Sequence, residues 1–295
     1  MSRYEFGIDF AAITAIDIHT HVHVDREGRH ALDAELRAAS AKYFKSPADQ
    51  DSTAEGIAEH YRERNMAAVV FTVDAALAMK HPGNSVEDIA VLAAAHNDVL
   101  IPFGSVDPRR ADALARAKSQ LNDFGVKGFK FHPSLQAFQP NDRSVYPLYD
   151  FIEESGVPAL FHSGQTGIGA GLPGGHGIKL RYSDPMLLDD VAADFPGLTI
   201  VMAHPSVPWV DAQISIATHK ANVYIDLSGW SPKYFPPALV KAANGRLRHK
   251  MLFGSDFPVI DVDRWRADFS TLDVKPDVVP MIMKDNALQV LGVTR

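Results

Sequence analysis

Residues able to bind a metal or move a proton recur directly after short apolar runs in this 295-residue chain. The first group is Asp17-Ile18-His19-Thr20-His21, and the next is Lys130-Phe131-His132. His162, His204, the pair Asp226 and Ser228, and finally Asp256 follow in the same position relative to their own runs. On a strand, residues two apart face the same side, so His19 and His21 can turn both imidazoles toward one cation. Asp17 shares their parity and is expected to support them from below. A lone His-x-His also reads as the polar start of a loop, and a lone His162 as a satisfied core histidine. Asp256 tips the balance, because a carboxylate at the end of an apolar run costs free energy unless a cation or several donors compensate it. Three imidazoles and one carboxylate suit Zn²⁺ or a similar divalent ion.

Other residues leave alternatives open. His204 reads as a proton-transfer group or carbonyl polariser, as a fifth ligand, or as a structural histidine. Lys130 reads as a binder of a substrate carboxylate, as a carboxylated bridge between two metals, or as a salt-bridged lysine at the barrel mouth. Arg181 and Lys179 are candidate anion contacts, or simply exposed basic residues. Trp209 and Trp230 wall an apolar pocket or pack the core.

Eight apolar runs must carry these groups. They cover residues 15–18, 67–73, 100–106, 126–131, 157–161, 198–203, 223–227 and 251–253. Their Val, Ile, Leu and Phe content is that of buried parallel strands. Segments of helical period lie between them, at 53–64, 86–95, 107–122, 145–154, 184–194, 207–219 and 236–243. The helix at 107–122 is expected to start with Asp107 as cap and Pro108 at its first position. Eight alternating units fit a closed (β/α)8 TIM barrel, a single domain over 1–295, better than an open sheet. Two connections are long. Residues 22–50 include a charged helical pattern at 31–43, and residues 163–183 are rich in glycine. Both leave the carboxyl end of a strand, and both are expected to be active-site loops rather than surface excursions.

Composition excludes several classes. The net charge of −7 argues against a general nucleic-acid binder. Zero cysteines exclude disulfides, thiolate metal sites and a cysteine nucleophile. No apolar run reaches the ~18 residues that span a bilayer, and the first ten residues carry no signal-peptide pattern, so a cytoplasmic protein is expected.

Taken in order, DIHTH, GFKFHP, PALFHSG, TIVMAHPS and LFGSDFP resemble the amidohydrolase superfamily. More narrowly they resemble the amidohydrolase-related group that includes aminocarboxymuconate semialdehyde decarboxylase. The resemblance runs from residue 16 to 291, and DNALQVLG from Asp285 is similar to the group's last helix. It implies metal ligation by His19, His21, His162 and Asp256, with zinc expected first and manganese second. It implies that His204 acts on the metal water or on the substrate. Two departures matter. His19 comes too early to leave room for a flanking β-sandwich, and many aromatic decarboxylases of the group have Glu where this chain has His19. The expected activity is hydrolysis at a carbonyl of a small acidic or acyl-thioester substrate, with Asp256 and His204 as catalytic residues and Lys130 and Arg181 orienting the substrate. The rival readings are non-oxidative decarboxylation of an aromatic-derived acid and a non-catalytic barrel. A small molecule is the expected partner, and a homodimer the expected assembly.

Overall fold

Residues 3–45 and 52–293 are described by a computed structural model. Eight strands follow in chain order: β1 (Ala15–His21), β2 (Met66–Phe71), β3 (Leu100–Pro102), β4 (Phe129–Phe131), β5 (Ala159–His162), β6 (Ile200–Ala203), β7 (Val223–Asp226) and β8 (Met251–Leu252). All neighbours pair in parallel, in the arcs β1-β2-β3 and β4-β5-β6-β7-β8. Two seams join the arcs. At one, Lys130 N–H donates to Gly104 O at 2.7 Å and Gly104 N–H to Gly128 O at 2.8 Å. At the other, Ile18 N–H donates to Phe253 O at 3.0 Å, and Asp256 N–H to His19 O at 3.0 Å. Closure leaves no open sheet edge, as the expected (β/α)8 barrel requires.

Alternation along the strands sorts the core into two layers. Ile16, Ile18, Val69, Ile101, Leu160, Val201 and Leu252 belong to one buried cluster, which fills the barrel. Ala68, Val70, Phe129, Phe131, Phe161 and Ile225 face a second cluster shared with the surrounding helices. Lys130 alternates with Phe129 and Phe131, and so points inward with Leu160.

The helices begin where their caps place them. Asp33 accepts from Leu36 N–H ahead of α1 (Ala34–Phe44), and Thr53 from Gly56 N–H ahead of α2 (Ala54–Arg62). The helix expected at 107–122 starts later, at Ala113, and passes into a π-helical turn at Gln120–Phe124. Asp107 is buried and makes the bond of a cap, accepting from Arg109 N–H at 3.0 Å, but residues 108–112 form turns and a bend instead of helix.

The two long connections meet. Of the insertion at 22–50, residues 46–50 lie outside the described residues. Phe44 at the end of α1 packs against Gly167 of the glycine-rich segment, where an added Cβ would lie 2.2 Å from Phe44 Cζ. Together they roof a cavity of about 270 Å³ at the carboxyl ends of the strands.

Candidate active site

The ends of β1 and β8 bring three ligand atoms together on the cavity floor. His19 Nε2 lies 3.2 Å from His21 Nε2 and 3.3 Å from Asp256 Oδ1. His21 Nε2 lies 3.0 Å from the same oxygen. Among the described residues this is the only group of three or more such side chains with ligand atoms so close.

His19 and His21 face the same side as their spacing predicts, but Asp17 does not. β1 pairs with β2 through Asp17↔Ala68 and Thr20↔Val70, so β1 bulges by one residue between them. Asp17 therefore faces the helix layer. Its Oδ2 accepts from Tyr61 Oη at 2.6 Å, and its Oδ1 accepts from His19 N–H at 3.0 Å and Ser255 N–H at 3.1 Å. It ties β1 to β8 behind the ligands instead of standing beneath them.

A hydrogen-bond network assigns the tautomers. His19 Nδ1–H donates to Asp226 Oδ2 at 2.6 Å, which leaves the Nε2 lone pair for a cation. Asp226 also accepts from Ser228 N–H at 3.0 Å and from Ser228 Oγ at 2.7 Å. Ser228 Oγ lies 2.9 Å from His204 Nδ1. Having given its one proton to Asp226, Ser228 accepts from His204 Nδ1–H, so His204 keeps a lone pair at Nε2.

Burial leaves three imidazoles of the site neutral. Burial pushes His19 and His162 well below the usual imidazole range and His204 down to about 4, so all three are neutral near pH 7. Burial works to raise Asp256, but the His21 hydrogen bond and the neighbouring His204 and Lys130 hold it below the usual carboxylate range. Burial also pushes the Lys130 amine down and the Asp226 carboxyl up.

His162 stands outside the tight trio. Among the described residues its buried Nε2 has no hydrogen-bond partner, and its ring centre lies 4.8 Å from that of His204. An orphaned, buried imidazole nitrogen fits a divalent cation, which would satisfy it.

The backbone is strained at this place. His204 (φ 71°) and Asp256 (φ 70°) both occupy the left-handed region. Gln213 braces the first turn, donating from Nε2 to His204 O at 2.7 Å and accepting from Ser206 N–H at 3.0 Å. Gly229 is required beside it, since an added Cβ would lie 2.3 Å from His204 Nδ1.

Comparison with known proteins now bears on this geometry. The family model described as amidohydrolase matches residues 16–293. The chain belongs to the amidohydrolase family. No curated protein matches it. Among solved structures, an uncharacterized TIM-barrel protein from Bordetella bronchiseptica is 25% identical, with a TM-score of 0.77 over 95% of this chain and 98% of that one. A dihydroxybenzoic acid decarboxylase from Polaromonas sp. JS666, with bound manganese, is 13% identical, with a TM-score of 0.70 over 96% and 98%. A probable 2-pyrone-4,6-dicarboxylic acid hydrolase from Acinetobacter baumannii, with citric acid bound, is 15% identical, with a TM-score of 0.62 over 95% and 100%. These last two likenesses show the fold.

In this amidohydrolase the remaining candidates divide. Lys130 is 1% exposed, and its Nζ lies 3.1 Å from His19 Nε2 and 4.8 Å above the Phe71 ring. Its contacts are these rings rather than a carboxylate. Trp230 lines the cavity. Arg181 does not reach it: the side chain is exposed, with its guanidinium over the Tyr182 ring at 5.2 Å. A basic group the sequence reading passed over takes that place. Arg37 of α1 lines the cavity, and among the described residues its buried Nε has no partner. The signal was present in the spacing, since 37, 40, 41 and 44 share one helix face. Among the described residues no helix is long and apolar enough to cross a membrane.

Proposed function

We propose that this amidohydrolase is a divalent-metal hydrolase that cleaves a carbonyl-linked bond in a small carboxylate substrate. The observation that carries the reading is the convergence of His19 Nε2, His21 Nε2 and Asp256 Oδ1 to within 3.0–3.3 Å of one another on a cavity floor. A cation held by these three residues and His162, zinc first and manganese second, would supply Lewis acidity toward water and toward a carbonyl oxygen. The chain's own residues do the rest. Asp256 is ionised near pH 7 and accepts a proton from the attacking water. His204, its Nδ1–H fixed on Ser228, takes that proton from Asp256 at its Nε2 lone pair and passes it on to the leaving group. Asp226 keeps His19 in the ligating tautomer. Arg37 and Lys130 provide positive charge for the substrate carboxylate. The roof of α1 and the glycine-rich segment limits water in the cavity.

A second reading is non-oxidative decarboxylation, favoured by the decarboxylases among the structural neighbours. One experiment separates the two. Zinc- or manganese-loaded protein is screened against aromatic-derived acids, lactones and acyl thioesters in ¹⁸O-water. Hydrolysis places ¹⁸O in a product acid, whereas carbon dioxide release without ¹⁸O in the remaining product overturns it in favour of the lyase. Protein that binds neither metal defeats both.

A further inference from the structure

His132 stands at the end of β4 and lines the cavity, yet neither the ligand trio nor the Ser228 network uses it. The residue is 3% exposed, so nothing about it is a surface accident. Two bonds fix it in place. Its N–H donates to Gln136 Oε1 at 2.9 Å, and its Nδ1 accepts from Leu135 N–H at 3.2 Å, capping the turn Pro133–Gln136. The ring is stacked on His162, with centres 3.8 Å apart and planes 7° from parallel. A neutral imidazole whose Nδ1 is an acceptor carries its proton on Nε2. No group among the described residues takes a hydrogen bond from that nitrogen.

We propose that His132 is a fixed hydrogen-bond donor to the substrate, its Nε2–H meeting a carboxylate or carbonyl oxygen of the molecule in the cavity. The same proton removes His132 from the cation's ligand set, although its ring lies against His162. The surroundings favour an oxygen-rich ligand. Lys130 and Arg37 line the same cavity as further donors, against the single carboxylate of Asp256. A donor locked by a backbone cap loses little freedom when it binds, which makes it selective for ligands with an acceptor at that point. This inference rests on the cavity being the substrate site.

Two substitutions separate the ring's two nitrogens. His132→Asn keeps an acceptor where Nδ1 caps the turn but has no donor at Nε2. His132→Gln carries an amide N–H to the Nε2 position and gives up the cap. Malonate and benzoate are titrated calorimetrically into manganese-loaded protein, and long-range ¹H–¹⁵N spectra of histidine-labelled protein report the tautomer. Expected are a protonated Nε2 with an acceptor-type Nδ1 in the wild type and about tenfold weaker carboxylate binding in His132→Asn at unchanged metal content. Binding within about threefold of wild type is expected in His132→Gln. A proton on Nδ1, or equal affinity of wild type and His132→Asn for a carboxylate that binds, overturns the role of His132 alone. No binding of either carboxylate to wild type overturns the substrate-site reading and this inference with it.

Discussion

The floor and the roof of the cavity are held by different means. On the floor, His19, Asp226, Ser228 and Asp256 are each at most 9% exposed, and each is tied to another strand by hydrogen bonds or close ligand contacts. On the roof, Tyr43 is 49% exposed, Arg37 Nε and Ser40 Oγ have no partner among the described residues, and the 163–183 segment turns through glycines at positive φ. The floor is over-determined by the barrel, so its atoms can be held to the tolerance that chemistry needs. The roof rests on a few contacts such as Phe44 on Gly167, and belongs to the part of a fold that opens at low free energy. Under the proposed function, reaction type resides in the floor and choice of substrate in the roof.

Substitutions can break this contrast or sharpen it. The largest effect is expected for Asp256→Asn, with kcat lower by about 10³-fold at an unchanged circular dichroism spectrum. Wild-type turnover in a metal-containing Asp256→Asn protein would remove the proposed floor chemistry.

Next comes the clamp behind the floor. Burial raises Asp17 from 3.8 to about 6 against hydrogen bonds from Ser255 and Tyr61. Between those values the folded chain holds a proton that the unfolded chain has released. The stability Asp17 contributes is thus full below about pH 4 and is lost as pH rises through about 6. Relative to Asp17→Asn, wild type should lose about 3 kcal/mol between about pH 4 and pH 7 in urea unfolding. A pH-independent difference would mean that Asp17 is less isolated from water than its contacts imply.

Gly229→Ala should lower kcat about a hundredfold by displacing the His204 ring, with KM moving less. The smallest effect should come from the roof. Arg37→Gln is expected to raise KM for an acidic substrate about tenfold while leaving kcat and the melting temperature near wild type. If Arg37→Gln lowered kcat as far as Gly229→Ala does, the division between floor and roof would fail.

The barrel was legible in the sequence because strand and helix periods differ and the eight apolar runs are evenly spread. Polar residues at strand ends were legible for the same reason, since a parallel barrel gathers them into one ring. What escaped has physical causes. The bulge after Asp17 reverses parity through one inserted residue, which no alternation pattern reveals. The helix start moved to Ala113 because residues 108–112 stay in turns, although Asp107 makes the bond of a cap. Arg181 and Arg37 are both basic residues on long connections, and only the docking of α1 over the cavity distinguishes them. Asp226, Ser228 and His132 were visible at strand ends, but their tasks depend on which ring nitrogen faces which neighbour.

The left-handed backbone at His204 and Asp256 has a consequence for anyone improving this protein. Each non-glycine residue in that region costs on the order of 1 kcal/mol, which glycine there would recover. Selection by thermal tolerance would thus reward the very replacements that silence the enzyme, and libraries sorted on robustness alone should drift toward durable, inert barrels.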